Sequence, residues 1–258
     1  MPARISKLWL PTTQQRVVHT RINGYEILVL ANEDVGRCIY FRRSFELAET
    51  RFFRAQIRPD DVCVDVGGNV GYFALLMARL ASNGEVHVFE PIPLNITLLA
   101  ASLSLNHFDH VRLNQCAVGA SAGEVTFSIS ADSAYSSMHD TKRKPLDRIL
   151  TVPMISLDAY VQKSQIRRVD IVKADVEGAE GLVVEGAAAL LSDSKRGPRI
   201  VLLELYEPNM AAFKTNVAEV IGRMGGFGYR AFVAMRDGNV RPFRDEDKTR
   251  YYNILFMR

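Results

Sequence analysis

Nowhere in this sequence do about 18 uncharged apolar residues follow one another, so no segment reads as a membrane-spanning helix. Residues 1–10 carry basic side chains but no apolar stretch of the kind a secretory leader needs, and a cytoplasmic location is the simple expectation. Cysteine is scarce. Cys38, Cys63 and Cys116 are odd in number and show no paired ligand spacing, which fits neither a disulfide framework nor a zinc site and leaves core or pocket thiols. Charge of one sign is lacking too: the formal net charge is +3, and with Lys and Arg scattered along the chain no nucleic-acid partner is implied. There is no internal repeat and no low-complexity tract. What remains, 48% hydrophobic and 24% charged residues over 258 positions, is the composition of one large globular α/β domain.

From Asp61 onward, short apolar runs alternate with helix-length amphipathic stretches, the pattern of parallel strands covered by helices on both faces. Residues 62–66 predict a buried strand, followed by a glycine turn and a helix with Phe73, Leu76, Met77 and Leu80 at helical spacing. The unit recurs with a strand over 86–90 and a helix opened by Pro93. Further strands are expected at 111–117, 125–129, 150–155, 169–174 and 200–205, with helices at 179–191 and 211–224. A terminal strand pair at 229–234 and 251–257 would close a mostly parallel, seven-stranded, doubly wound sheet with an antiparallel end, and the glycines at 225–228 predict a break before that pair. Between 130 and 148 lies a polar, Ser-rich insertion that reads as a mobile loop within a hairpin at about 123–155. Residues 1–58, with a strand at 25–30 and a helix at 45–57, read as an N-terminal extension packed on a core of residues 59–258.

Four predicted core strands reach an acid at or near their carboxyl ends: Asp65, Glu90, Asp175 and Glu204. In a doubly wound sheet those ends share one crevice, where ligands of this architecture bind. Any one of these acids could be merely solvated, but four together need positive charge or hydrogen-bond donors among them. The first turn, Asp65-Val66-Gly67-Gly68-Asn69-Val70-Gly71, lets the backbone bend sharply and approach a ligand. It breaks the dinucleotide fingerprint, because Asn69 stands where the second glycine belongs. Asp65 is also poorly placed for a pyrophosphate, whereas an ammonium or a sulfonium would be welcome there. Glu90 stands where an α/β nucleotide site holds ribose hydroxyls. S-adenosylmethionine combines all of these features.

The chain resembles the FkbM-type methyltransferases of the class I S-adenosylmethionine-dependent fold. The resemblance is carried by Asp65-Val66-Gly67-Gly68-Asn69-Val70-Gly71-Tyr72, by Val88-Phe89-Glu90-Pro91 and, most specifically, by Lys173-Ala174-Asp175-Val176-Glu177-Gly178-Ala179-Glu180. Gly68 and Ala174 depart from the family's usual Ala and Ile without removing a functional side chain, although Gly68 could loosen the turn. The resemblance implies a Rossmann-like domain that binds S-adenosyl-L-methionine and yields S-adenosyl-L-homocysteine. Gly67, Asn69 and Gly71 would shape the methionine pocket beside Asp65, Glu90 would take the ribose, and Cys116 and Ala117 would border the adenine. Asp175 would lie nearest the transferred methyl group. The family also implies O-methylation of a saccharide, a lipid-linked glycan or another small molecule.

A hydroxyl acceptor must lose its proton; the candidates are Asp175 first, Glu204 second and Glu177 third. For Glu177 and Glu180 the bland reading is capping of a helix N-terminus. None of the five histidines has a convincing partner pattern; His139 reads as a surface residue of the insertion. Asp175 and Glu204 could share a divalent metal, but spacing alone does not indicate one. Lys142-Arg143-Lys144 reads as a solvated loop run that could steer an anionic acceptor. An RNA methyltransferase is disfavoured by the absence of an N-P-P-Y tetrapeptide at the fourth strand and of a basic-aromatic stripe. A cofactor-binding regulator without turnover would keep the fold, and the intact acids speak against it. The extension could serve as a homo-oligomer contact.

Overall fold

The computed structural model describes residues 16–140 and 142–258; residues 1–15 of the expected extension and Thr141 of the insertion lie outside the described residues. Val17–Ile22 (β1) and Tyr25–Leu30 (β2) pair antiparallel across Asn23-Gly24, both at positive φ, the geometry of a two-residue hairpin turn. Asp34–Arg37 (α1) leads through a π turn into Leu47–Gln56 (α2). The winding units follow as Val62–Val66 (β3), Tyr72–Leu80 (α3), Glu85–Phe89 (β4), Pro93–Asn106 (α4) and Val111–Asn114 (β5). Ala117–Val118 (β6), Gly123–Ser130 (β7) and Leu146–Ile155 (β8) come next, then Leu157–Lys163 (α5), Ile171–Ala174 (β9), Glu180–Glu185 (α6) and Ala188–Ser192 (α7). Ile200–Glu204 (β10), Glu207–Met210 (α8), Val217–Gly226 (α9), Arg230–Ala234 (β11), Val240–Pro242 (β12) and Asn253–Met257 (β13) complete the order.

The main sheet has eight strands in the order β12-β11-β13-β10-β9-β3-β4-β5, not the seven expected. The added strand, β12, is three residues long and returns from β11 around Gly238, at φ 88°; it is too short for an alternation to reveal. The strands from β10 through β5 pair in parallel, while β13 runs antiparallel to both β10 and β11. Alternation along the strands explains the winding: Cys63, Val86, Val88, Ile171 and Leu202 enter the core under α2, α3 and α4. Val64, Phe89, Val172, Val201 and Leu203 enter the opposite core under the helices that follow β8. Both faces are therefore apolar and both are covered.

Three expectations are corrected. The strand anticipated at 111–117 divides, because β5 ends at Asn114 on the main sheet while β6 pairs with β8 in a separate three-stranded sheet, order β6-β8-β7. The helix anticipated at 179–191 is two short helices, α6 and α7, and that at 211–224 is α8, a 3-10 turn and α9. The expected break at 225–228 falls later than Gly225, since α9 runs through Gly226 and ends as Gly228 takes φ 88°. None of the helices among the described residues is long and apolar enough to cross a membrane.

Candidate active site

The carboxyl ends of β3, β4, β9 and β10 open on a cavity of about 320 Å³, the size of a small-molecule pocket. Its floor is the first glycine turn. Gly67 has φ 79°, and a Cβ there would fall 1.9 Å from the Asp175 carbonyl oxygen, so the close approach of the β3 and β9 ends requires glycine. The amides of Gly67 and Gly68 donate to the Phe89 carbonyl at 2.9 and 3.1 Å, tying the turn to β4. Asn69 takes a left-handed conformation at φ 47°, and its Oδ1 accepts from the Val70 amide at 2.6 Å. Gly68, where the resemblance anticipates Ala, has the Val88 Cγ1 2.4 Å from the position of a Cβ, so this chain fills from β4 the space an alanine would use. Gly71, at φ 97°, begins α3 against Leu99 and is not part of the cavity lining.

Glu90 braces this turn. Its Oε2 accepts from the Asn69 amide and its Oε1 from the Ile92 amide, each at 2.8 Å, while the side chain is buried. Burial pushes its carboxyl up to about 7 against the pull of those two amides. Each oxygen keeps a lone pair for a further donor. Pro91, Cys116 and Ala117 also line the cavity, and burial raises the Cys116 thiol. Tyr72 borders the cavity, but its hydroxyl belongs to the scaffold, bonded to Asn23 Nδ2 and Thr50 Oγ1, both at 3.0 Å. It fastens the N-terminal segment to α3.

The acids converge as their strand positions require. Oxygens of Asp175, Glu177 and Glu204 lie within 4.8 Å of one another. Two cations meet them: Lys173 Nζ stands 3.4 Å from Asp175 Oδ2, and Arg143 Nη1 donates to Glu177 Oε2 at 2.8 Å. Lys173 also faces Asp65 Oδ1 at 3.7 Å. Asp65 is 1% exposed, and neither of its carboxyl oxygens has a hydrogen-bond partner among the described residues. Burial, then the nearby Asp175, pushes Glu177 up to about 7 and Glu46 up to about 8. The same causes raise Glu204 well above the ordinary range, and burial raises Asp65. Burial also works against the Lys173 ammonium, but Asp175, Asp65, Glu46 and Glu204 outweigh it and hold the group protonated. Glu180 is the first residue of α6 and reaches back to the preceding turn, accepting from the Val176 and Gly178 amides at 2.9 and 3.3 Å rather than capping helical amides.

Segments outside the winding core close the mouth. From the N-terminal side come Asp34, Cys38 and Glu46; from the insertion come Ser133, Tyr135, Ser136 and Arg143. The two sides are joined: Lys144 Nζ pairs with Asp34 Oδ2 at 2.9 Å, the Tyr135 hydroxyl donates to the same oxygen at 3.0 Å, and the Asp34 amide donates to Asp132 Oδ2 at 2.8 Å. Ser133 Oγ donates to the buried Glu33 carboxylate at 2.6 Å. The Arg143 guanidinium lies 4.3 Å from the Tyr135 ring centre and 5.0 Å from that of Tyr206. Within Lys142-Arg143-Lys144, Arg143 stays exposed and Lys144 partly so, but each is also engaged, Arg143 with Glu177 and Lys144 with Asp34. His139 is exposed, edge-on to Phe213, and does not line the cavity.

Glu46, Lys173, Tyr135 and Asp34 were not candidates from sequence, and Arg143 entered only within a basic run able to steer an anionic acceptor. Lys173 lies inside the most specific motif, and its charge in an otherwise apolar strand was the available signal; the others reach the site by long-range docking and leave no local mark.

The methyltransferase FkbM domain family matches residues 65–231. The chain is similar to the 31-O-demethyl-FK506 methyltransferase FkbM of Streptomyces tacrolimicus, 28% identical over 213 residues that cover 70% of this chain and 77% of that protein. It is also similar to methyltransferase 1 of Beauveria bassiana, 24% identical with 50% of this chain and 59% of that protein covered. The hexuronic acid methyltransferase AglP of Haloferax volcanii is 26% identical, with 60% of each chain covered. The chain thus spans under two thirds of the length of the last two relatives.

Proposed function

The chain belongs to the FkbM methyltransferase family, and from that footing we propose that it uses S-adenosylmethionine to O-methylate a hydroxyl on a saccharide or another small-molecule acceptor. The observation that carries the cofactor reading is Asp65, a carboxyl group buried to 1% exposure that has the Lys173 ammonium 3.7 Å away as its counter-charge but no close hydrogen bond to either oxygen among the described residues, in the same cavity as Glu90. A buried acid left in that state is unfavourable unless a ligand supplies the missing partner. An ammonium suits Asp65, vicinal ribose hydroxyls suit the spare lone pairs of Glu90, and the cavity volume suits a ligand of this class.

Bound there, S-adenosylmethionine would supply a methyl group activated by its sulfonium, the carbon–sulfur electron pair staying with the departing thioether. The chain's own share is alignment, exclusion of water and the acceptor's proton. Asp175 is the group we assign to the proton: it lines the cavity, stays partly exposed, and has a fixed cation beside it. Glu177 and Glu204 suit this role less, since burial keeps both protonated further up the pH scale. Arg143 and Lys173 meet the three acids with positive charge of the protein's own. The acceptor class rests on the family and on the polar mouth formed by Asp34, Ser133 and Ser136.

The test is transfer of labelled methyl from S-adenosylmethionine to a panel of saccharide acceptors and to water. Asp175→Asn should abolish turnover with cofactor affinity largely kept; an unchanged rate would remove Asp175 from this role.

A further inference from the structure

Among the described residues Lys173 is the one buried ammonium of the site, 3% exposed, on β9 between two carboxylates on different walls. Its Cα is in register with that of Asp65 across the parallel β3–β9 pair, which sets the two side chains side by side on one face of the sheet. Two residues along its own chain Asp175 leaves the strand end, and the same nitrogen reaches it at 3.4 Å. The ammonium also stands 5.2 Å from the Phe73 ring centre, on the side closed by α3. These distances are longer than those of a close charge-assisted hydrogen bond, about 2.7–2.9 Å. Lys173 is thus shared between Asp65 and Asp175 rather than locked to either.

We propose that Lys173 is a positioning residue of the methyl-transfer site, whose shared ammonium keeps a charged carboxylate on the cofactor wall and on the acceptor wall at once. This rests on the proposed function for its purpose, but not for its geometry. Five acids face this region: Asp65 from β3, Asp175 and Glu177 after β9, Glu204 from β10 and Glu46 before α2. Arg143 arrives from the insertion and is engaged with Glu177. Without Lys173, Asp65 would be a buried acid with no counter-charge, and Asp175 would face Glu46, Glu177 and Glu204 with only Arg143 nearby. Burial would then push Asp65 further up, and Asp175 would lose the cation that offsets its acidic neighbours, so both would move towards their neutral forms. A protonated Asp65 attracts no ammonium, and a protonated Asp175 accepts no proton from a hydroxyl. A single substitution should therefore weaken both walls, although Lys173 touches neither the reacting oxygen nor the methyl carbon in this account.

The direct test is carboxyl NMR of the ligand-free protein labelled with 13C-aspartate, with Asp65 and Asp175 assigned through Asp65→Asn and Asp175→Asn. Lys173→Met, and Lys173→Gln as the variant that keeps a polar tip, should each move the Asp175 midpoint upward by about one unit or more, and Lys173→Arg should restore it. Midpoints of Asp65 and Asp175 that stay put in both neutral variants overturn the proposal. Calorimetric titration with S-adenosylmethionine gives a second reading: affinity of Lys173→Met should fall about tenfold at pH 6.5 and recover towards wild type at pH 8.5. A deficit that is independent of pH signals structural damage alone and also counts against the proposal. If wild type does not bind S-adenosylmethionine, the cofactor reading fails while the NMR midpoints still decide the part played by Lys173.

Discussion

Glu90→Gln separates two duties that the site assigns to one side chain. In the native protein both Glu90 oxygens accept, from the Asn69 and Ile92 amides at 2.8 Å each. Glutamine offers one acceptor oxygen and one amide nitrogen that only donates, so one of those two backbone N–H groups must face another donor. Leaving a buried donor unsatisfied costs about 1–3 kcal/mol, and the lost bond here is to a carboxylate, at the stronger end of that range. For a chain of this size about 2–3 kcal/mol corresponds to a drop of roughly 5–10 °C in Tm. The turn that relaxes is the one that floors the cavity, so S-adenosylmethionine affinity should fall with it. Thermal unfolding and calorimetric binding measured on the same preparation check both parts. An unchanged Tm with lost binding would mean that Glu90 serves only the ligand, and an unchanged Tm with unchanged binding would contradict both duties.

Gly67→Ala must place a Cβ against the Asp175 carbonyl 1.9 Å away while holding φ at 79°. It should unfold at lower temperature and lose cofactor binding, whereas Gly222→Ala, in α9 with open space around it, should do neither. The raised acids fix a pH dependence. Burial lifts Glu90 and Glu177 to about 7 and Glu46 to about 8, above their unfolded values, so their contribution to stability is full below the unfolded range and is lost as pH rises through about 7 to 8. Tm of the ligand-free protein should therefore decline from pH 5 to pH 8. Cationic S-adenosylmethionine, which favours the ionised forms, should bind more tightly over the same interval with release of protons, seen as a binding heat that varies with buffer ionisation enthalpy. Lys144→Ala removes the ion pair to Asp34 that ties the insertion to the N-terminal segment. This half-exposed pair should contribute at most about 1 kcal/mol to stability, so Tm should hardly move, while faster proteolysis within the insertion would report the loosened tie.

The strand-end acids were legible because each follows an apolar run, and a doubly wound sheet brings such ends together whatever the loops do. Asp65, Glu90, Asp175 and Glu204 needed only that topology. Lys173 needed more, since its closeness to Asp65 comes from strand register, which no single strand reveals. The Asn23-Gly24 turn was readable as a hairpin signal and would have supplied β1, whose residues show no strong apolar alternation. The division of β5 from β6 was hidden, because nothing at Gln115-Cys116 marks a change of sheet. Asp34 reaches the mouth through its pairing with Lys144, 110 residues on, and Arg143 through Glu177, 34 residues on, contacts fixed by tertiary packing rather than by local propensity.

Direct binding of S-adenosylmethionine tests the central claim most plainly. Isothermal titration of wild type, with NAD as the comparison ligand and Gly67→Ala as the blocked site, should give one S-adenosylmethionine per chain, no NAD, and no binding in the variant. Failure of wild type to bind S-adenosylmethionine at about millimolar concentration, or equal binding by Gly67→Ala, would contradict the assignment of this cavity to the cofactor.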